Sequence, residues 1–142
     1  MDKGAKLLKE LCEADFDAIE AYEEAIKRLD DKSIADKLAQ YRTDHVSHTE
    51  VLNRFLKTRN EEMVDGPDAK RLLTEGKVVI ADLFGDKAIL KAMVANEKIM
   101  VKAYEEARDS DALNVDEKAQ LAKHYDDEKR HHAWIKSTSE QL

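Results

Sequence analysis

The chain has 142 residues, 39% of them charged, with a formal net charge of −7 at pH 7. This length suits one domain, which we expect to comprise residues 1–142. The negative charge argues against nucleic acid and anionic membranes as partners. The single cysteine cannot form an internal disulfide, and neither a transmembrane run nor a signal-peptide stretch is visible, so we expect a cytoplasmic protein.

Apolar residues at helical spacing predict four long helices, which fits the scarcity of glycine and proline. The first helix is predicted over residues 3–29. Residues 30–33 interrupt the pattern, and Ser33 suits the N-cap of a second helix over residues 34–58. The short link between these helices predicts an antiparallel hairpin.

A link of 27 residues, 59–85, separates the second predicted helix from the third. It contains a predicted short helix that begins near Pro67 and ends at Gly85. The third helix is predicted over residues 86–108, and a fourth follows an Asn114 N-cap and continues to residue 137. The long link lets the second hairpin cross over the first. We therefore predict an all-α, antiparallel four-helix bundle of ferritin-like topology rather than a simple up-down-up-down bundle.

The two predicted hairpins repeat each other. Residues 21–25 recur as residues 103–107, a shift of 82 positions, while the second and fourth helices match at a shift of 83. These shifts relate three pairs of polar residues: Asp15 and Glu97, Asp44 and Asp127, and His48 and His131. Two similar hairpins that face each other imply a pseudo-two-fold axis, and a site on that axis would take equivalent residues from both halves.

Every predicted helix carries an ionisable residue at an inward position near its middle. Six residues are concerned: Asp15, His45, His48, Glu97, Glu128 and His131. Burying each of these side chains without a partner would cost on the order of several kcal/mol. The sum over six side chains exceeds the total stability of a domain, which is about 5–15 kcal/mol. Carboxylate oxygens and imidazole nitrogens are ligands of iron, manganese and zinc. In the second and fourth helices the two residues are three positions apart, so each pair can face one metal ion.

Residues 127–131, with the sequence Asp-Glu-Lys-Arg-His, resemble the acidic-Glu-x-Arg-His signature of di-iron carboxylate proteins. A carboxylate followed seven positions later by tyrosine is similar to the first and third helices of ferritins and bacterioferritins. Two such pairs occur: Asp15 with Tyr22, and Glu97 with Tyr104. At the level of topology the resemblance, to the rubrerythrin and bacterioferritin type of ferritin-like protein, covers nearly the whole chain. Residues 44–48, 73–77 and 86–90 further resemble a small, poorly characterised bacterial ferritin-like family.

The resemblance implies a pair of iron ions held by the six inward residues, and either ferrous iron oxidation or peroxide reduction, with dioxygen or peroxide as a partner. Six further residues are expected to support the ligands: Asp44, Asp127, Tyr22, Tyr104, His124 and Tyr41. Two alternatives stay open for this group: His124 could itself bind a metal ion, and Tyr22 and Tyr104 could have a redox role.

The chain departs from the superfamily pattern at two of these positions. His45 stands where a glutamate is expected, and Asp15 is shorter than the usual glutamate. The predicted site therefore has three carboxylates and three histidines in place of four and two. Neutral imidazoles disfavour high-valent iron, so manganese and zinc are alternatives to iron.

A metal-free interpretation of the same residues also exists. The three carboxylates could form salt bridges with three protonated histidines, and the protein would then be a non-enzymatic helical bundle with a role in stress or in protein interaction. We expect a homodimer in either case.

Overall fold

The computed structural model describes residues 1–67 and 79–142. Within these ranges the chain forms four helices and no strand. The helices are α1 (Lys3–Arg28), α2 (Lys32–Thr58), α3 (Asp86–Arg108) and α4 (Val115–Glu140). The prediction of an all-α four-helix bundle is confirmed.

The helix neighbours establish the topology of the bundle. α1 packs against α2, α3 packs against α4, and the two hairpins meet through α1 with α3 and α2 with α4. Across the described ranges, the backbones of the diagonal pairs α1 with α4 and α2 with α3 stay more than 8 Å apart between Cα atoms, so only side chains meet across the diagonals. Each neighbouring pair is antiparallel; Asp15 and Tyr22 of α1, for example, contact Tyr104 and Glu97 of α3 in reverse order. α2 and α3 are therefore parallel on opposite corners, and their link must return over about 35 Å, the length of the 23 residues of α3.

The predicted start of the second helix was wrong, because Asp31 rather than Ser33 is its N-cap. Oδ1 of Asp31 accepts the backbone N–H groups of Ser33 at 2.9 Å and Ile34 at 3.3 Å. The Ser33 hydroxyl donates to the same oxygen at 2.6 Å. A carboxylate accepts from three donors at once here, so the serine supports the cap instead of forming it.

The Asn114 cap of the last helix is present, and it forms a reciprocal capping box with Glu117. α4 continues to Glu140, three residues beyond the predicted end, while α1 ends at Arg28, one residue before the predicted end. Such differences of one turn or less are common at helix ends.

The predicted short helix that begins near Pro67 falls largely on residues 68–78, outside the described ranges. It does not end at Gly85, because residues 79–85 are not helical. Gly85 instead directly precedes α3 with φ of +88°, a conformation that glycine adopts without steric cost. The next residue, Asp86, accepts the backbone N–H groups of Asp30 and Asp31 at 2.8 and 3.0 Å, which ties the start of α3 to the α1–α2 link.

The apolar core consists of two clusters. One lies where α1 ends and α2 begins and includes Leu29, Leu38 and Leu90. The other lies near the opposite end and includes Leu8 and Leu121. The middle of the bundle, between these clusters, is left to polar side chains. No helix in the described part of the chain is both long and apolar enough to cross a membrane. A single domain over the whole chain, a cytoplasmic location and a homodimer remain predictions.

The close approach of α1 to the α3–α4 link predicts the effect of one substitution. A Cβ atom on Gly4 would clash with the backbone oxygen of Ala112 and lie 2.7 Å from Nη1 of Arg59. Alanine normally stabilises a helix interior relative to glycine by about 1 kcal/mol, but the clash with a backbone atom reverses that sign here. We expect Gly4→Ala to lower the melting temperature by several degrees.

Gly66→Ala is the matched control, since a Cβ on Gly66 has no atom within 4 Å among the described residues. Thermal unfolding of both variants tests the prediction. A melting temperature of Gly4→Ala equal to or above that of the wild type would contradict it.

Candidate metal centre

The structure brings all six inward ionisable residues together at the middle of the bundle, where none is more than 2% exposed. Their nitrogen and oxygen atoms form two groups, and within each group these atoms lie within 4.8 Å of one another. The Asp15 group comprises Asp15, His45, His48 and Glu128. The Glu97 group comprises His45, Glu97, Glu128 and His131. Because two residues belong to both groups, the groups are adjacent.

Direct hydrogen bonds join the atoms of the Asp15 group. Oδ1 of Asp15 lies 2.7 Å from Nδ1 of His45 and 3.2 Å from Nδ1 of His48. Its other oxygen, Oδ2, accepts the hydroxyl of Tyr104. An ionised carboxylate only accepts hydrogen bonds, so both imidazoles donate from Nδ1. Both oxygens of Asp15 thus have partners from the protein.

The Glu97 group is less complete. Oε1 of Glu97 accepts from Nε2 of His45 at 3.0 Å and from the Tyr22 hydroxyl at 2.7 Å. His131 Nδ1 lies 3.6 Å from Glu128 Oε2 and 3.8 Å from Glu97 Oε2, too far for hydrogen bonds. With every carboxylate taken as ionised, six buried side-chain atoms in the described ranges have no hydrogen-bond partner. Four of them belong to this cluster: Glu97 Oε2, Glu128 Oε1, Glu128 Oε2 and His131 Nδ1. Each such atom costs about 1–3 kcal/mol if it stays unpaired.

The donor set at these four atoms fits a cation. Carboxylate oxygens and an imidazole nitrogen converge there with no protein donor for the oxygens. Glu128 lies 3.3 Å from Nδ1 of His48 and 3.4 Å from Nε2 of His45, but those N–H groups donate to Asp15 and Glu97 instead. A metal ion would satisfy the oxygens and the nitrogen together.

Burial and neighbouring charges set the protonation of the metal-free cluster. Burial acts to raise the pKa of Asp15, but His48 and His45 outweigh it and hold the pKa below its usual range. Burial acts to lower the pKa of His45, yet the charge of Glu97 and the hydrogen bond to Asp15 raise it to about 10. Burial opposes ionisation of Glu97 too, but His45 lowers that pKa to about 2. Burial, followed by the charge of Glu97, raises the pKa of Glu128 well above its usual value. His45 is therefore charged at pH 7, whereas its surroundings favour the protonated form of Glu128.

The outward nitrogens of two histidines bind aspartates on the facing helix. Nε2 of His48, on α2, donates to Oδ2 of Asp127 on α4 at 2.9 Å. Nε2 of His131, on α4, donates to Oδ2 of Asp44 on α2 at 2.7 Å. In His131 the proton held at Nε2 leaves Nδ1 free to face a metal, whereas His48 of the metal-free protein also donates from Nδ1 to Asp15. The predicted support from Asp44 and Asp127 thus takes the form of hydrogen bonds exchanged between α2 and α4.

Arg130 links these two aspartates, a role that sequence reasoning missed. Its Nη2 lies 3.0 Å from both Oδ2 of Asp44 and Oδ1 of Asp127. The three-residue spacing from Asp127 could have indicated one of these contacts, but the contact with α2 depends on the tertiary structure. One guanidinium therefore fixes the carboxylates that orient both His48 and His131.

The tyrosines repeat the same exchange between α1 and α3. Tyr22 of α1 donates to Glu97 of α3, and Tyr104 of α3 donates to Asp15 of α1. Each tyrosine lies seven positions after one carboxylate and binds the other. Residues related by the internal repeat are therefore equivalent in three dimensions.

His124 and Tyr41 occupy related positions beside the cluster. The ring of His124 stacks on His48 with centroids 3.9 Å apart, and its Nδ1 lies 3.2 Å from the Tyr104 hydroxyl. The ring of Tyr41 lies 4.2 Å from that of His131. Burial lowers the pKa of His124 to about 3, so it is neutral at pH 7. His124 belongs to neither group of candidate ligands.

The raised pKa of His45 predicts a pH-dependent contribution to the stability of the metal-free protein. A folded pKa of about 10, above the ordinary value of 6.5, means that the contribution is complete below pH 6.5. It is lost as the pH rises through about 10. In the presence of a chelator, we expect His45→Gln to cost about 3–5 kcal/mol at pH 6 and clearly less at pH 10.

Urea unfolding of the wild type and His45→Gln across this pH range measures the difference. His132→Gln, a change outside both groups, should show no comparable trend. A His45→Gln cost that stays constant with pH would rule out the charged state of His45.

Residues 4–110, three quarters of the chain, match the family model described as Domain of unknown function (DUF2383). This match covers α2, α3 and all of α1 but its first residue, whereas α4 with Glu128 and His131 lies beyond it. No curated protein matches the chain. The finer resemblance to rubrerythrins and bacterioferritins stays a hypothesis. The chain belongs to the DUF2383 family, which is part of the ferritin-like superfamily.

Proposed function

We propose that the protein binds two metal ions, iron in the first place, and that it acts in ferrous iron oxidation or peroxide reduction. The observation that carries this proposal is the set of four unpaired oxygen and nitrogen atoms buried at the centre of the bundle. Water-excluded atoms of this kind are rare in folded proteins unless a ligand satisfies them. Their chemistry, three carboxylate oxygens and one imidazole nitrogen, is that of a metal site.

Each group of ligand atoms would hold one ion. Asp15 and His48 would bind the first position, and Glu97 and His131 the second. Glu128 would contribute to both, because its Oε1 faces His48 while its Oε2 faces His131. This arrangement resembles the ligand plan of ferritin-like bundles, in which facing helices supply equivalent ligands.

The surrounding residues would orient the ligands. The aspartates hold the histidine protons at Nε2, and the tyrosine hydroxyls fix the rotamers of Asp15 and Glu97. The two apolar clusters exclude water from both ends of the site. A redox-active metal pair, when bound, would supply the electron exchange with ferrous iron or peroxide. The tyrosines would act by positioning the carboxylates.

The ligand charges favour divalent ions. Two divalent ions carry four positive charges and three carboxylates carry three negative charges, so the filled site keeps an excess of one positive charge. A site with four carboxylates would be neutral. The excess opposes oxidation of the metals, and it makes manganese and zinc suitable alternatives to iron.

A groove beside Glu97 would offer a small oxidant a route to the site. The described part of the chain leaves a largely apolar groove of about 490 Å³ between α1 and α3. Its lining includes Ala18, Met93 and Met100 together with Tyr22 and Glu97 of the site. The volume lies within the range of small-molecule sites, and dioxygen or peroxide would reach the Glu97 group first.

A second candidate is a non-enzymatic bundle with a structural polar core. The hydrogen bonds of the Asp15 group favour it, because Asp15, His45 and His48 satisfy one another without a cation. In that case the protein would act in stress or in protein interaction, and metal ions would not affect its stability.

Thermal unfolding distinguishes the two candidates. Metal at 100 times its dissociation constant adds about 2.7 kcal/mol per site, which for a domain of this size raises the melting temperature by about 5–10 °C. We expect this increase when ferrous or manganous ion is added to chelator-treated wild type. Glu97→Ala should reduce it strongly, because the variant lacks one of three carboxylates and with it the position formed by Glu97 and His131.

Glu106→Ala, which changes an exposed glutamate of the same helix, should retain the full increase. A wild-type melting temperature that responds to neither chelator nor metal would refute the metal proposal and favour the structural core. An unchanged increase in Glu97→Ala would remove that residue from the ligand set.

A further inference from the structure

One pair of positions breaks the chemical symmetry of the site. The shift of 83 that relates His48 to His131 also relates His45 to Glu128. The other related pairs among the six inward residues keep their chemistry, with Asp15 matched to Glu97 and His48 to His131. The two metal positions proposed above therefore differ because of position 45.

His45 gives the Asp15 group its internal partners. Its Nδ1 lies 2.7 Å from Asp15 Oδ1, which also accepts from Nδ1 of His48 at 3.2 Å. Tyr104 occupies Oδ2 of Asp15. An ion entering this group would have to displace the hydrogen bonds that now hold it together.

The Glu97 group presents the opposite situation. His131 is held at Nε2 by Asp44, so its Nδ1 faces the site and has no partner in the described part of the chain. Glu97 Oε2 and Glu128 Oε2 are equally unpaired, and the three side chains are at most 2% exposed. An ion entering here would break no hydrogen bond from a histidine or tyrosine to these three atoms, and it would satisfy all of them.

We propose that the two metal positions fill in a fixed order. This proposal rests on the proposed metal-binding function. The first ion binds at Glu97, Glu128 and His131. The second binds at Asp15 and His48, with the remaining oxygen of Glu128, after His45 has given up its bond to Asp15. Between the two steps lies a stable one-ion state, in which His45 still bridges Asp15 and Oε1 of Glu97. His45 is thus the residue that makes the second position weaker than the first.

The test is a titration of chelator-treated protein with cobaltous ion, followed by calorimetry and by visible absorption of the bound ion. The wild type should show two binding events whose dissociation constants differ by at least about tenfold, the size of effect expected when the partners of metal ligands must rearrange. Asp15→Asn should lose the weak event and keep the tight one. Glu97→Gln should lose the tight event.

His45→Glu provides the converse test, because it gives position 45 the residue found at the related position 128. The dissociation constants of the two events should then differ by less than about threefold. In the wild type they should differ by at least about tenfold, which corresponds to about 1.4 kcal/mol. Asp36→Asn, an exposed change on α2, should reproduce the wild-type titration. Circular dichroism of each variant establishes that the bundle is folded.

Two wild-type events of equal affinity, or loss of the tight event in Asp15→Asn, would overturn the proposed order while leaving metal binding intact. An absence of any cobalt binding in the wild type would instead overturn the metal-binding function itself. Since Asp15→Asn and Glu97→Gln are close in shape to the native residues, the outcome does not depend on whether His45→Glu folds.

Discussion

Six ionisable side chains lie between two apolar clusters at the middle of the bundle, and the candidate site depends on how these groups are paired. Desolvation opposes each charge, so a charge persists there only beside an opposite charge or a hydrogen-bond partner. His45 meets this condition through Asp15 and Glu97. Glu128 does not, and burial raises the pKa of its carboxyl well above the usual value in the metal-free protein. Binding of cations at this carboxylate would remove the imbalance.

The supporting hydrogen bonds join the two halves of the repeat. Histidines of α2 and α4 donate to aspartates on each other's helix, and tyrosines of α1 and α3 donate to each other's carboxylate. The site is therefore a property of the assembled pair of hairpins, since neither hairpin contains a complete set of partners. Arg130 strengthens this connection by contacting both aspartates. A disturbance on one side of the pseudo-two-fold axis should consequently reach the ligands of the other side.

Helical periodicity was sufficient to predict the four helices, and α3 has the predicted bounds. Polar residues at inward positions, together with the internal repeat, were sufficient to bring six side chains to one place. The sequence did not reveal that Asp31 caps α2, because Asp31 and Ser33 are both good caps and the choice depends on local geometry. It also did not reveal Arg130 or the difference between the two ligand groups. Periodicity specifies the face on which a side chain lies, whereas these features depend on rotamers and on contacts between helices.

The central claim is that Glu128 lies between two metal ions. Crystals grown with ferrous or manganous ion, and measured on both sides of the absorption edge of the metal, test it most directly. We expect two anomalous peaks about 3.5–4 Å apart, one beside His48 and one beside His131, with an oxygen of Glu128 next to each. A fully ordered bundle with no anomalous peak within bonding distance of Glu128 would contradict the claim.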